Sequence, residues 1–295
     1  MKLGLNLSFA TKRWLKPETL ARLCAETFKV DSVQFTFDLI DPWWPKMLRR
    51  ELATAYREAF QKQGIEIASA FGGVASYTYA QLLAPTQAQR DISLAFWKRA
   101  IDLSVELVAK SVGTPIGGMS YEDWKDPAAS RALYASAQAS LTELATYAKQ
   151  QGLSEILIEA TPLRPEILYT PQAARQFVAE LDGKTDVPVR LLIDWGHALC
   201  SRIPESSTDM GEWLTVCAPY VGGIHLQQTD GLWDRHWDFT VDGLVTPELI
   251  RDTTRKAGVE HVTQYLEVVT IFEDDDDEVL ARMKASMEHL HSVFA

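Results

Sequence analysis

The feature that most constrains this chain is a strict alternation. Eight short runs rich in β-branched and aromatic residues occur at 2–9, 32–39, 65–71, 111–116, 155–160, 189–194, 221–227 and 262–269, and helical periodicity follows each one. Pro17 and Glu18 open a helix with Leu20, Leu23, Cys24 and Phe28 on one face, and a second helix from Pro45 to Gln63 stops before Gly64. Later helices are read up to Lys110, over 127–151, from Pro171, over 209–217 and over 247–257, and the acidic run Glu273–Glu278 opens a last one that ends near Val293. Parallel strands need a crossover of a dozen or more residues, so this order points to a parallel sheet. Eight such units close into a (β/α)8 TIM barrel, an α/β fold that typically takes about 250 residues. No repeat, low-complexity linker or composition break marks a second domain, so one barrel domain over 1–295 is expected. An open doubly wound sheet is the alternative, but no glycine-rich dinucleotide fingerprint follows the first strand.

Charge and cysteine usage narrow the function classes. The net charge of −11 argues against nucleic acid or an anionic membrane as the main partner, while one local donor cluster can still bind one phosphate. Cys24, Cys200 and Cys217 are odd in number, far apart and without a CxxC pair, which is the usage of a reducing cytoplasm. The segment MKLGLN leads into no long apolar region or small-residue cleavage site, so no signal peptide is expected, and no apolar run approaches the ~20 residues of a membrane span.

In a TIM barrel, chemistry sits at the carboxyl ends of the strands. Four consecutive strands place an ionisable residue there after apolar ones: Glu159 in ILIEAT, Asp194 in LLIDWGH, His225 in GGIHLQQ and Glu267 in QYLEVV. Buried charges at such positions are costly unless paired or bound to a metal. Carboxylates with one imidazole suit a hard or borderline divalent ion, Mn²⁺ first and Mg²⁺ or Co²⁺ next. The competing view makes each residue a separate salt-bridged rim group. His197, three residues after Asp194, is a candidate substrate contact or support for the metal, or a packed histidine at a helix start.

These residues resemble the xylose-isomerase-like TIM barrels, in particular the sugar (phosphate) isomerase/epimerase group that includes ketose 3-epimerases and erythrulose-phosphate epimerases. The likeness runs through LSFATKRW, VQFTFDLIDPWW and FGGVASYTYAQLLAP, a loop region carrying Tyr77, Tyr79 and Pro85, and through strands five to eight. It implies a metal held by Glu159, Asp194, His225 and Glu267, with Glu159 and Glu267 as acid and base on opposite faces of C3 of a ketose, through a cis-enediolate. DWGH matches the group's Asp-x-x-His pattern, so His197 looks like its substrate-contacting histidine. The group also implies a homo-oligomer, a dimer or tetramer.

The chain departs from the free-sugar epimerases at two places. A second glutamate is expected one turn beyond strand five, where this chain reads TPLRPE, so Arg164 or Glu166 takes that place. An arginine is expected soon after the strand-seven histidine, where the segment is QQTDGLWDRHWDF. Arg164, Arg235 and His236 could therefore serve a phosphate or carboxylate, although such residues are more often plain surface or loop residues. Trp233 and Trp237 are candidate pocket walls or loop packing, while Trp43 and Trp44 read as packing. Aldose–ketose 1,2-isomerisation, dehydration and non-catalytic sugar binding are the competing functions. A metal-dependent DNA-repair endonuclease is disfavoured by charge, by a single histidine-containing ligand set, and because Asp38 alone offers an early-strand ligand.

Overall fold

In the computed structural model, residues 1–77 and 81–294 are described, and Tyr79 lies outside them. The eight strands are β1 Lys2–Asn6, β2 Ser32–Thr36, β3 Glu66–Phe71, β4 Ser111–Thr114, β5 Glu155–Ala160, β6 Val189–Asp194, β7 Val221–Leu226 and β8 Thr263–Leu266. They pair in sequence order, all parallel, and β8 closes onto β1 from Lys2↔Thr263 to Leu5↔Leu266. The expected barrel is the fold.

The helices are α1 Pro17–Arg22, α2 Lys46–Lys62, α3 Val74–Tyr77, α4 Gln87–Glu106, α5 Tyr121–Lys125, α6 Pro127–Gln151, α7 Pro171–Ala179, α8 Trp195–Ala198, α9 Met210–Cys217, α10 Pro247–Ala257 and α11 Asp276–Phe294. Several start by the same device. Asp126, Thr170 and Thr246 accept a first-turn backbone N–H, and a proline follows each at the first helical position, where its missing N–H costs nothing. α6 and α10 end on Gly152 and Gly258 in the left-handed region at φ 89° and 72°. The acidic run acts as a helix start: Asp275 accepts from the N–H groups of Asp277 and Glu278.

Some boundaries move from the sequence reading. The first strand stops at Asn6, whose side-chain oxygen accepts from the Ser8 N–H and turns the chain into a 3-10 helix over Leu7–Ala10. The second stops at Thr36, where Asp38 N–H bonds back to the Thr36 hydroxyl. The first helix loosens after Arg22 into a wide π-type turn over Leu23–Thr27, which buries Cys24 and leaves Leu23 half-buried.

Side chains in a strand alternate faces with period two, so the residue two before a rim position points into the barrel with it. Leu157 precedes Glu159, Leu192 precedes Asp194, and together with Phe71 the two leucines form a buried cluster of their own. Space for it comes from glycine. A Cβ on Gly113 would lie 2.4 Å from Phe71 and 2.8 Å from Leu157, and one on Gly4 would lie 2.6 Å from the Tyr265 ring. The apolar plug supports the polar layer above it, where the Phe71 ring meets the His225 imidazole edge-on at 5.1 Å. Gly113→Ala is expected to lower unfolding free energy by about 1–3 kcal/mol through overpacking. Adding Phe71→Leu should recover part of that loss in urea denaturation, and equal loss in the single and double variants would place the strain elsewhere.

Candidate metal centre and active-site cavity

Glu159, Asp194, His225 and Glu267 converge at the carboxyl ends of β5 to β8, all buried, each offering one ligand atom within 4.8 Å of the others. His225 Nδ1 lies 2.8 Å from Glu267 Oε2, 3.2 Å from Glu159 Oε1 and 4.0 Å from Asp194 Oδ2. Its Nε2 faces Gln34 Oε1 at 2.6 Å. A protein amide oxygen only accepts, so Nε2 carries the hydrogen and Nδ1 presents its lone pair to the carboxylates in the neutral ring.

Buried amides hold the carboxylates. Asn6 Nδ2 donates to Gln34 Oε1 at 2.7 Å and to Glu267 Oε1 at 3.0 Å. Asp194 Oδ1 accepts from the His197 N–H at 2.9 Å and from Gln227 Nε2 at 2.8 Å. Asp194 Oδ2 is buried without a hydrogen-bond partner among the described residues. An unsatisfied buried carboxylate oxygen, aimed at an imidazole lone pair beside two further carboxylates, fits a divalent cation. Burial raises the Glu159 pKa above its ordinary value, whereas Glu267 is lowered because His225 outweighs its burial. Burial also opposes charge on His225, yet Glu267 and Glu159 lift its pKa to about 10.

A second cluster stands beside the first. Asp234 lies between two imidazoles, with Oδ2 3.2 Å from His197 Nε2 and Oδ1 3.1 Å from His236 Nε2. Burial works against charge on all three, but the pairings hold Asp234 well below the carboxylate range and raise His236 to about 9. His197 Nδ1 lies 3.1 Å from the Ala160 carbonyl. Gln227 joins the clusters. Its Nε2 donates to Asp234 Oδ1 at 3.0 Å as well as to Asp194, and its carbonyl accepts the His236 N–H.

Both clusters open into one cavity of about 280 Å³ at the barrel mouth, lined by Glu159, Glu267, His197, Asp234, Arg235 and His236 with Tyr77, Val74, Pro115 and Val269. Arg235 reaches it with its guanidinium tied to Asp230 at 2.6 Å and set over the Trp237 ring at 4.8 Å. Glu166 is buried behind the wall, accepting from Tyr77 Oη at 3.1 Å and Thr161 Oγ1 at 2.5 Å. Arg164 does not line the cavity, because Glu205 takes its guanidinium at 2.5 Å. Trp233 does not either: its ring is half-exposed under the Arg202 guanidinium at 4.0 Å. Asp38 belongs to neither cluster among the described residues; its carboxylate accepts the Val74 and Ala75 N–H groups at the start of α3.

A sequence model of the xylose isomerase-like TIM barrel matches residues 22–291. The chain belongs to this family. A curated relative, the D-erythrulose 1-phosphate 3-epimerase of Brucella abortus (strain 2308), is 24% identical over 88% of this chain and 84% of its own. A Rhodospirillum rubrum crystal structure provisionally described as a xylose isomerase shares 44% identity over 99% of each chain, with a TM-score of 0.97. The D-psicose 3-epimerase of Clostridium cellulolyticum H10 superposes with a TM-score of 0.74 at 15% identity over 100% of this chain and 99% of that one, a likeness of fold.

Within this family fold, the sequence reading missed Asn6, Gln34, Gln227 and Asp234. The first three are amides whose importance comes only from burial. Asp234 was within reach, as an Asp two residues before His236 in the loop after the strand-seven histidine. The count of one histidine-containing ligand set is corrected to two clusters. Gln227 is wedged against α8, where a Cβ on Gly196 would lie 2.3 Å from its amide carbon. Gln227→Leu is expected to weaken Mn²⁺ binding by about 10–100-fold in calorimetric titration, the usual cost of losing an outer-shell partner. Unchanged affinity would remove Gln227 from that role.

Proposed function

We propose that this chain is a divalent-metal-dependent epimerase that inverts C3 of a small ketose or ketose phosphate. The observation that carries the reading is the position of Glu159 and Glu267. Both are buried, both border the one cavity, and they come from strands three apart around the barrel with His225 between them. The curated relative, named as an erythrulose 1-phosphate 3-epimerase, supports this substrate class, and the isomerase/epimerase class is shared by the named relatives.

Glu159, Asp194, His225 and Glu267 would hold the ion, Mn²⁺ first, with Mg²⁺ or Co²⁺ as substitutes. When bound, it supplies Lewis-acid polarisation of the ketose carbonyl. One glutamate carboxylate takes the C3 proton from one face, and the electron pair left at C3 delocalises toward the C2 carbonyl. The other glutamate returns a proton to the opposite face, which inverts the centre. Gln34 and Asn6 keep His225 and Glu267 oriented during this exchange. Val74, Pro115 and Val269 supply apolar walls that exclude water. Arg235 offers its free edge to a phosphate or carboxylate end, and His197 is positioned for a substrate oxygen. Assembly as a dimer or tetramer belongs to the same reading, and light scattering measures it.

Deuterium incorporation from D₂O tests it. Mn²⁺-loaded protein with erythrulose, erythrulose phosphate, fructose and tagatose is expected to place deuterium at C3 with inversion. Glu159→Gln and Glu267→Gln should each lower the rate by about 10²–10⁴-fold, the usual worth of an acid or base. Label confined to C1 and C2 would establish the 1,2-isomerase reading that the Rhodospirillum relative's description favours. Metal binding without exchange on any sugar would sink both in favour of a dehydratase or a sugar-binding barrel.

A further inference from the structure

Glu166 stands behind the cavity wall rather than in it, and the way the chain delivers it there is costly. The next residue, Ile167, holds φ 69° and ψ −50°. The Leu168 N–H closes onto the Glu166 carbonyl at 2.7 Å. That is a γ-turn of the rare, strained kind, on a β-branched residue for which positive φ is a true outlier. Such strain persists only where the surroundings over-determine it. Both Glu166 carboxylate oxygens are taken, Oε2 by the Thr161 hydroxyl at 2.5 Å and Oε1 by the Tyr77 hydroxyl at 3.1 Å. Burial raises the Glu166 pKa, and the two hydroxyls oppose that rise by donating to the charged form.

Tyr77 is fixed from its other side as well. It ends α3, whose Val74 and Ala75 N–H groups donate to Asp38 at 2.9 and 3.1 Å. Asp38 comes close because position 73 is glycine: a Cβ there would lie 2.2 Å from its Oδ2. Carboxylates from the loops after β2 and β5 thus clamp one short segment, and Tyr77 lines the cavity from it. Burial, and then the Glu166 charge, push the Tyr77 phenol up, so it stays neutral. A phenol has one hydrogen to give. Glu166 takes it, so the oxygen has only lone pairs left to offer.

Position decides what those lone pairs meet. Tyr77 follows β3 and Arg235 follows β7, and in the closed strand order β1 to β8 these two lie across the barrel from each other. One wall of the cavity offers a guanidinium edge, and the opposite wall offers an acceptor backed by a buried carboxylate. We propose that Tyr77 is a specificity-determining residue that accepts a terminal hydroxyl of the ketose, with Glu166 as the positioning residue that takes up the phenol hydrogen. The inference rests on the epimerase reading and gives its substrate a direction. An anionic end faces Arg235 and a neutral hydroxyl end faces Tyr77, where a second anionic group would be repelled.

Discrimination against deoxy analogues tests this. Among erythrulose, erythrulose phosphate, fructose and tagatose, the ketose that the Mn²⁺-loaded protein exchanges fastest at C3 is compared with its analogues lacking one free terminal hydroxyl. For erythrulose these are 3,4-dihydroxybutan-2-one and 1,3-dihydroxybutan-2-one. The unaltered protein is expected to favour the ketose over one analogue by about 10–100-fold in kcat/KM, the cost of leaving a hydrogen-bonding group unpaired. Tyr77→Phe should erase that preference by raising KM for the ketose while leaving the analogue unchanged. Glu166→Ala, which frees the phenol hydrogen, should erase it too. Glu166→Gln, whose amide oxygen still accepts from Tyr77, should keep it. A merely structural role would slow ketose and analogue alike. If Glu166→Ala does not fold, Tyr77→Phe and Glu166→Gln carry the comparison. A preference retained in folded Tyr77→Phe would overturn the assignment and leave the epimerase reading standing. No C3 exchange by the unaltered protein would sink that reading, and this one with it.

Discussion

The structure is organised around one electrostatic constraint: three carboxylates and an imidazole share a buried space in which their ligand atoms lie within 4.8 Å of one another. Isolated buried carboxylates are destabilising by several kcal/mol per ion even after relaxation. Like charges this close cannot all stay ionised without compensation. The fold answers with three buried amides, Asn6, Gln34 and Gln227, each bonded to a ligand residue. Amides carry no charge, so Asn6 and Gln227 orient carboxylates by donating to them without neutralising them, while Gln34 accepts from His225 and from Asn6. They do not satisfy the cluster completely: Asp194 Oδ2 stays without a hydrogen-bond partner among the described residues.

That constraint reaches down the barrel. The ligands come from consecutive parallel strands, and ladder pairs such as Asp194↔His225 and His225↔Tyr265 set their relative heights. Register in turn depends on the plug beneath, where Gly4 and Gly113 make room for Tyr265, Phe71 and Leu157. A larger side chain at either glycine would push a ring upward or a strand outward, and the imidazole that touches Phe71 would move with it. Packing in the apolar layer and geometry in the polar layer are therefore one problem.

The barrel was legible because alternation and period-two patterning are local properties of the chain. β5, β6, α6 and α10 have the boundaries read from sequence, each flanked by proline, glycine or a capping residue. The four ionisable strand ends were legible for the same reason, since a charge after an apolar run is conspicuous. Buried amides were not. Gln34 and Asn6 sit in strands where either could face solvent, and only closure of β1 against β8 and β2 brings them to Glu267 and His225. Loop residues failed in the opposite direction. Arg164 and Trp233 look available in sequence, but Glu205 and Arg202 occupy them, and such pairings between distant loop positions leave no periodic trace.

The rim cations follow from the same imbalance. Arg235 alone among the arginines borders the cavity, beside the carboxylates of Glu159, Glu267 and Asp234. Its pairing with Asp230 and its seat over Trp237 keep it from collapsing onto those carboxylates. By fixing the arginine to a rim aspartate, the loop keeps the guanidinium off the buried carboxylates and its free edge facing the mouth. On the proposed reading, a divalent ion at the centre and an anionic substrate end at the rim are compatible within one cavity, because the protein itself holds the opposite charges apart.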